Sequence, residues 1–164
     1  MKVTALVCTY NYGQFLDRCL NSLLDQTYPK KDYEIVVVDD GSTDETSRVL
    51  KKYRRQIRVL RQSNQGLTAA SNTGLRQARG EFLVRVDADD EMEPHGIKEL
   101  AQALDENPAV SAVYCDRLEI LEDTGVSRPT NLSRLNIFQI IAPGVMFRLQ
   151  RVLDVGLYRH FYWE

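Results

Sequence analysis

Cysteine and histidine are scarce in this sequence of 164 residues. Cys8, Cys19 and Cys115 form an odd set without a close pair, which argues against a disulfide framework and against a thiolate metal site. His95 and His160 lie far apart and have no second ligand at metal spacing, so we expect both to be surface or structural residues. The lack of paired cysteines favours a reducing compartment.

Long apolar runs are absent as well. The longest strictly aliphatic stretch is IVVV at residues 35–38, far short of the roughly 20 residues that a membrane-spanning helix needs. Residues 1–7 contain neither a long apolar region nor a small-residue cleavage site. We therefore expect neither a spanning helix nor a signal peptide within these residues.

Three common signatures of nucleotide binding and catalysis are also missing. The sequence contains no GxGxxG and no GxxxxGK[ST], which disfavours dinucleotide oxidoreductases and P-loop kinases. It contains no GxSxG, so a serine hydrolase of the usual α/β type is disfavoured too. Whatever this chain binds, it binds by another arrangement of residues.

The composition is that of an ordinary globular domain, with 43% hydrophobic and 27% charged residues and a net charge of −2. The small net charge hides a segregation: residues 46–80 hold nine basic and no acidic residues, whereas residues 81–123 hold three basic and thirteen acidic ones. This pattern is consistent with a polyanion site beside a metal site, although solvated helix faces are the commoner explanation.

Apolar periodicity predicts alternating strands and helices along most of the chain. The predicted strands are residues 3–8, 33–38, 57–60, 81–86 and 110–114, with helices between them. Ser42 and Glu45 have the spacing of a capping box, so we expect a helix to begin after Ser42. This alternation predicts an α/β fold whose mostly parallel, Rossmann-like sheet carries helices on both faces.

The pattern weakens after residue 120. Segments 122–125 and 128–131 are interpreted as loops, and we expect a mobile flap within residues 121–141. A further strand at residues 144–147 and a short helix through Val152 and Leu153 follow. We treat residues 1–164 as a single domain, in which 121–164 form the flap and the start of a second functional part.

Polar side chains follow three of the predicted strands, at residues 9–11, 39–42 and 87–90. Ligands of parallel α/β sheets bind beyond the carboxyl ends of the strands. Each of the three clusters taken alone suits an ordinary surface turn. Their convergence predicts a binding site.

The acidic cluster suggests a metal. If the backbone stays extended, Asp87 and Asp89 point to the same side, and two carboxylates about 6 Å apart repel by roughly 3 kcal/mol at an effective dielectric constant near 20. A divalent cation would reverse this repulsion. Oxygen ligands favour Mg²⁺ or Mn²⁺, and a site with one or two carboxylates usually shares its ion with substrate phosphates.

These segments together resemble a known family, the family-2 nucleotide-sugar glycosyltransferases with the GT-A fold. The matching segments, in the family's order, are VCTYN (7–11), SLLDQTY (22–28), VVDDGSTD (37–44), NQG (64–66), AASNTG (69–74), GEF (80–82) and the DxD motif DAD (87–89). Each segment is common by itself, and the ordered set is specific. The resemblance covers almost the whole chain and makes residues 1–120 the nucleotide-sugar-binding part.

The resemblance implies roles for individual residues. Tyr10 would stack near the nucleobase, the backbone at Cys8 would approach it, and Asp40 would accept a hydrogen bond from its ring NH, which suits uridine. Asn64 and Asp87 would complete the nucleotide-sugar site. The metal ligands would be Asp89, helped by Asp87, and the ion would be Mn²⁺ or Mg²⁺.

The resemblance also implies an inverting reaction, in which a carboxylate removes the proton of the attacking acceptor hydroxyl. Glu164 falls about where the family's acidic pair begins, and the sequence stops there, so we expect a chain truncated at its C-terminus. Ser71 stands where many members carry Arg, which would remove a phosphate-facing cation. Cys8 stands where Pro, Ser or Thr is frequent.

Partners and location follow from the same resemblance. We expect a nucleotide-diphospho-sugar donor, a saccharide or lipid-linked acceptor in glycan, polysaccharide or glycolipid synthesis, and no nucleic acid. The expected location is the cytoplasm, at the face of a membrane that sequence beyond Glu164 would contact.

Two other functions stay open at this point. The first is a non-catalytic nucleotide-sugar or partner-binding module. The second is a phosphatase of the haloacid dehalogenase type, which also places DxD after a strand. In that class the nucleophile usually follows the first strand, whereas Asp87 follows the fourth predicted strand, and Glu91 replaces the usual Thr or Val.

Overall fold

Strands and helices alternate along the chain in the computed structural model, which describes residues 1–120, 125, 127–130 and 144–159. The strands are β1 (Val3–Thr9), β2 (Tyr33–Asp39), β3 (Arg58–Arg61), β4 (Phe82–Asp87), β5 (Ala112–Tyr114), β6 (Arg117–Ile120), β7 (Ser127–Thr130) and β8 (Val145–Arg148). The helices are α1 (Gly13–Leu24), α2 (Thr46–Tyr53), α3 (Leu67–Gln77), α4 (Gly96–Glu106) and α5 (Leu149–Asp154). The predicted elements are thus present with shifted ends.

Six of the strands form one sheet in the order β3-β2-β1-β4-β8-β5. The pairs β1–β2, β1–β4 and β2–β3 are parallel, whereas β8 is antiparallel to both β4 and β5. The amide of Cys115, just after β5, donates to the carbonyl of Gly144, just before β8. The end of β5 therefore lies beside the start of β8, and the two strands run in opposite directions.

Helices cover both faces of the sheet, as predicted for an α/β fold. One buried cluster joins β1 and β2 to α1, α2 and α4, with Leu16, Leu20 and Leu104 fully buried. A second cluster joins the opposite face to α3 and α5 and contains Leu6 and Leu75. Each fully buried leucine stabilises the fold by about 2 kcal/mol relative to an exposed one. The sheet therefore lies between two apolar layers.

The predicted capping box is wrong. Helix α2 begins at Thr46, and its N-terminus has no capping-box hydrogen bond from Ser42. The Ser42 hydroxyl instead accepts a hydrogen bond from the amide of Asn11, 3.0 Å away. Near the start of α2, the Oδ1 of Asp44 accepts a hydrogen bond from the amide of Thr46 at 3.0 Å. A tertiary contact with the end of β1 thus outweighs the local signal.

The prediction of a loop at 128–131 is wrong for residues 128–130, which form part of β7. This strand pairs with β6 in an antiparallel hairpin. The strand was missed because it contains Pro129 and lacks apolar alternation. Its pairing partner is β6. Residues 122–124, residue 131 and most of the predicted flap lie outside the described residues. Within the described residues, none of the helices combines the length and apolar character needed to cross a membrane.

Candidate functional site

A cleft of about 480 Å³ opens at the carboxyl ends of β1, β2 and β4. Its lining contains six of the residues singled out from the sequence, which are Cys8, Tyr10, Asp40, Asn64, Asp87 and Asp89. The other lining residues are Thr9, Tyr12, Gly66, Leu67, Ala70 and Ala88. The predicted convergence of the three strand ends on one site is therefore observed, and the individual roles of these residues stay predictions.

The strand register brings these residues together. Thr9 lies beside Asp39 in the β1–β2 pair, and Cys8 lies beside Asp87 in the β1–β4 pair. Neighbouring strands are about 4.8 Å apart. Because β1 is flanked by β2 and β4, residues that are more than 40 positions apart in sequence face one cleft.

Asp40 forms one end of the cleft, which we call the Asp40 end, together with residues 62–66. Asp40 is only 3% exposed. Its Oδ1 accepts from Nε2 of Gln62 at 2.7 Å and from the amide of Gln65 at 3.0 Å, and its Oδ2 accepts from the amide of Gly66 at 2.8 Å. Three donors compensate the burial of this carboxylate and order the loop around it.

Gly41 allows that loop to approach the β2 end. Its φ is +81°, and a Cβ at this position would lie 2.8 Å from the amide nitrogen of Asn64. Any other residue would be strained here and would push Asn64 away. Gly41 therefore helps to set the position of Asn64 in the cleft.

Asn11 joins the loops that follow β1 and β2. Its Oδ1 accepts from the amides of Thr43 at 2.8 Å and Asp44 at 3.3 Å, while its own amide donates to Ser42. Asn11 has a φ of 57°, a left-handed conformation that asparagine tolerates well. These bonds hold the segment carrying Tyr10 against the segment that follows β2.

Two tyrosines border the cleft beside the end of β1. Tyr10 is 46% exposed and Tyr12 is 42% exposed. The Tyr12 ring lies 5.7 Å from the ring of Phe15. Exposed aromatic faces of this kind stack on planar ligands. Tyr12 was not among the predicted site residues, although the Tyr-Asn-Tyr pattern at 10–12 was a visible signal.

Residues 87–90 form the other end of the cleft, which we call the acidic turn. The extended backbone assumed for Asp87 and Asp89 is wrong, because β4 ends at Asp87 and the amide of Asp90 donates to its carbonyl at 3.0 Å. Asp89 is exposed in this turn. Burial, together with the nearby carboxylates of Asp87 and Asp89, raises the pKa of Asp90 to about 6. Negative charge is therefore concentrated here.

The acidic turn fits a divalent cation that is shared with a ligand. Among the described residues, no three or more His, Cys, Asp or Glu side chains are grouped so that they could hold a metal ion by themselves. Asp87 and Asp89 nevertheless line the cleft, and carboxylate oxygens suit Mg²⁺ and Mn²⁺. An ion bound here would need further ligands, as a diphosphate would provide.

Arg85 lies behind the acidic turn and was missed by sequence reasoning. Its Nη2 lies 3.3 Å from Oδ1 of Asp87, and the residue is 8% exposed. The signal was present, since Arg85 is the only charged residue between Phe82 and Val86 in an otherwise apolar strand. A charge inside a buried strand indicates a specific partner.

Cys8 is not a candidate nucleophile at neutral pH. Burial raises the pKa of its thiol to about 11, although a hydrogen bond with Ser71 opposes this rise. The Sγ of Cys8 lies 3.7 Å from Oγ of Ser71, which is itself buried on α3. The protonated thiol therefore acts as a small packing group in the cleft wall.

Glu164, the predicted general base, lies outside the described residues, which end at residue 159. Its role stays a prediction. Among the described residues, the cleft contains the predicted donor-site residues Cys8, Tyr10, Asp40, Asn64 and Asp87.

The sequence model of Glycosyl transferase family 2 matches residues 4–154. Since this match takes in most of the chain, the chain belongs to glycosyl transferase family 2. Membership confirms the resemblance drawn from the ordered motifs and leaves the phosphatase alternative without support.

Comparison with individual proteins agrees with this assignment. Poly(ribitol-phosphate) beta-N-acetylglucosaminyltransferase TarS of Staphylococcus aureus (strain Mu50) is 39% identical over 157 residues, which cover 93% of this chain and 26% of the relative. The crystal structure of S. aureus TarS 1–349 in complex with UDP superposes with a TM-score of 0.80 at 30% identity, covering 96% of this chain and 50% of that chain. This likeness confirms the predicted GT-A fold.

A second solved structure shares the fold alone. It is the mannosyltransferase PcManGT from Pyrobaculum calidifontis in complex with GDP-Man and Mn²⁺, which superposes with a TM-score of 0.74 at 23% identity. The superposition covers 96% of this chain and 47% of that chain. The chain thus spans about half of each of these two solved chains and about a quarter of the whole TarS relative.

Proposed function

We propose that this chain binds a nucleotide-diphospho-sugar, with UDP as the favoured nucleotide, and transfers the sugar to an acceptor hydroxyl with inversion. The observation that carries this proposal is the single cleft, which places a buried carboxylate and an aromatic rim at one end and the acidic turn at the other. A nucleoside diphosphate has the matching parts, a planar base and a charged diphosphate.

The Asp40 end would hold the nucleobase. A carboxylate has about four acceptor sites, and Asp40 uses three of them on residues 62–66. The remaining site would accept the ring NH of uracil. Tyr10 would stack on the base, with Asn64 and the backbone of Cys8 beside it. The three hydrogen bonds that already fix the Asp40 carboxylate in the lining of the cleft support this proposal.

The acidic turn would hold Mn²⁺ or Mg²⁺ through Asp89, helped by Asp87. When bound, the ion would neutralise the charge of the departing nucleoside diphosphate. Arg85 keeps a positive charge beside Asp87, which leaves Asp89 as the more available ligand. Solvent exposure of Asp89 supports this assignment, because an ion shared with a ligand must be reached from the cleft.

The transfer itself requires three bond changes. The acceptor O–H gives its proton to a carboxylate base, the acceptor oxygen bonds to the anomeric carbon, and the bond from that carbon to the diphosphate oxygen breaks. The diphosphate leaves with the electron pair. Glu164 is the proposed base, and the acceptor is a saccharide or a lipid-linked sugar. We also propose that the chain acts in the cytoplasm, at the face of a membrane.

Calorimetric titration of the chain with UDP tests donor binding. UDP is expected to bind with one-to-one stoichiometry, more tightly with Mn²⁺ than with EDTA, and at least about tenfold more tightly than GDP, a free-energy difference of about 1.4 kcal/mol. GDP is the matched control, because it keeps the diphosphate and changes the base. If folded protein binds neither nucleotide, the proposal is wrong.

A second measurement separates a transferase from a binding module. UDP-GlcNAc, which is bound in a solved structure of TarS, is incubated with the chain and Mn²⁺, and released UDP is measured over time. UDP release above that of the Asp89→Ala variant is expected. Tight binding of UDP without release would favour the non-catalytic module instead.

A further inference from the structure

Arg85 is the only basic residue that is buried among the described residues. It lies in β4, with Leu6 as its neighbour on β1. Leu83, two positions earlier on the same face of the strand, is 1% exposed and belongs to the apolar layer beneath α3 and α5. A guanidinium in these surroundings loses most of its hydration.

The bonding of Arg85 is incomplete within the described residues. Its Nη2 contacts Oδ1 of Asp87 at 3.3 Å, while its buried Nε has no hydrogen-bond partner. Nε and one Nη form an edge of the guanidinium that matches the two oxygens of a carboxylate. The Nε–H of Arg85 is therefore a further hydrogen-bond donor, on the same face of β4 as Asp87, and it has no partner among the described residues.

The segment after α5 packs near this pair. Asn72 on α3 accepts from the amide of Tyr158 at 3.0 Å and donates to its carbonyl at 2.9 Å. Burial raises the pKa of the Tyr158 hydroxyl, and the positive charge of Arg85 opposes that rise. Tyr158 is thus held beside the guanidinium and helps to exclude water from it.

Stability does not explain a charge at this position. Replacing a buried ion pair with apolar residues of similar size is often neutral or stabilising, because desolvation offsets the attraction. Asp87, however, lies near Asp89 and Asp90, and Arg85 is the cation paired with it in the described part of the chain. The pairing therefore indicates that Arg85 orients the Asp87 carboxylate and balances its charge.

We propose that Arg85 is a positioning residue of the donor site, which acts by holding the Asp87 carboxylate in the cleft. This inference rests on the proposed function, because it takes Asp87 as a donor-binding residue. Arg85 itself does not line the cleft. Its effect on donor binding should therefore depend on Asp87 being present.

A double-mutant cycle tests this dependence. UDP affinity is measured by calorimetry in Mn²⁺ for the unsubstituted chain, Arg85→Met, Asp87→Asn and the double variant. Each single substitution is expected to weaken UDP binding about tenfold, and the double variant should bind no more weakly than Asp87→Asn alone. Arg58→Met is the matched control, because Arg58 pairs with Glu34 away from the cleft, and it should leave UDP affinity unchanged.

Thermal unfolding of every variant accompanies the cycle. Arg85→Lys keeps the charge and loses the planar fork, so it should fold as the unsubstituted chain does and weaken UDP binding about threefold, again only when Asp87 is present. If Arg85→Met does not fold, the cycle is completed with Arg85→Lys. Losses that add in the double variant would overturn this inference, as would unchanged affinity in both Arg85 variants. Absence of UDP binding by the unsubstituted chain would instead reject the proposed function, and this inference with it.

Discussion

The two ends of the cleft are both built on carboxylates, and they differ in what compensates the charge. At the Asp40 end, the protein itself supplies three hydrogen-bond donors to a carboxylate that is 3% exposed. At the acidic turn, three aspartates lie within four residues, and Arg85 pairs with one of them. The protein therefore supplies most of the compensation at the Asp40 end, whereas the acidic turn has an excess of negative charge.

This difference separates two kinds of site. The Asp40 end is preorganised, so a ligand can bind there with little ordering cost. The acidic turn concentrates negative charge that a bound cation would offset. Substitutions at the Asp40 end should therefore reduce both stability and binding, whereas substitutions at the acidic turn should reduce binding alone.

Asp40→Ala should have the largest effect on stability. The substitution leaves the amides of Gln65 and Gly66 without their acceptor, so we expect the free energy of unfolding to fall by about 3 kcal/mol. Urea denaturation followed by circular dichroism measures this change. Asp40→Asn, which keeps one oxygen, should lose less. A change below about 1 kcal/mol would show that residues 62–66 do not depend on Asp40.

Asp89→Ala should leave stability unchanged within about 0.5 kcal/mol, because Asp89 is exposed. The substitution should instead affect ligand binding. Mn²⁺ should no longer increase the affinity for UDP, which is a loss of about tenfold in affinity, or about 1.4 kcal/mol in binding free energy. Calorimetry with and without Mn²⁺ measures it. Asp154→Ala is the matched control, as an exposed carboxylate outside the cleft. A variant that still responds to Mn²⁺ would remove Asp89 from the proposed metal site.

Asp44→Ala should destabilise the protein more than Ser42→Ala, although Ser42 has the capping-box position. Asp44 accepts from the amides of Thr46 and Gly13, and losing such a helix-start acceptor costs about 1 kcal/mol. Burial raises the pKa of Asp44, but the hydrogen bonds from Thr46 and Gly13 outweigh it, so the pKa is lowered. The folded state therefore favours the charged form.

The sign of the pH dependence follows. The contribution of the charged Asp44 is complete above its unfolded pKa and is lost as the pH falls through its lower folded pKa. The stability difference between Asp44→Ala and the unsubstituted chain should thus be constant near neutral pH and shrink below about pH 4. Denaturation series at several pH values measure it. An equal or larger loss of stability in Ser42→Ala would contradict this ranking of the two residues.

Cys8 lies between the two ends and reports ligand occupancy. Its raised pKa of about 11 predicts slow alkylation at pH 7.5, with a rate that rises about tenfold per pH unit. UDP at about three times its Kd should slow the alkylation about fourfold, since about a quarter of the sites stay free. Peptide mass spectrometry gives the rate at each cysteine. The exposed Cys115 is the internal control, and equal protection of both residues would contradict occupancy of the cleft.

Much of the fold was predictable because its signals are local and repeated. Apolar runs such as residues 35–38 predicted the parallel strands, and helical spacing predicted α1, α3 and α4. The antiparallel strand β8 was not predictable in direction, because the Cys115–Gly144 contact that places it joins residues 29 positions apart. The β6–β7 hairpin was missed for a local reason: Pro129 has no amide donor and is uncommon within strands, although an edge strand tolerates it.

The site divides in the same way. Cys8, Tyr10, Asp40, Asp87 and Asp89 could be found because each ends a predicted strand or follows one within three residues, in segments that resemble the family's motifs. Other features depend on distant partners that no local pattern reveals, namely the hydrogen bond from Gln62 to Asp40 and the contact of Asn72 with Tyr158.

By itself the sequence determined the class of fold, the family and the strand ends that carry the site, because periodicity and ordered motifs are properties of neighbouring residues. The tertiary structure alone decided how each carboxylate is compensated. Asp40 and Asp89 look alike in sequence, each beside a second aspartate at the end of an apolar strand. One is buried among three donors and the other is exposed in a turn, and this difference arises from segments that meet only when the chain is folded.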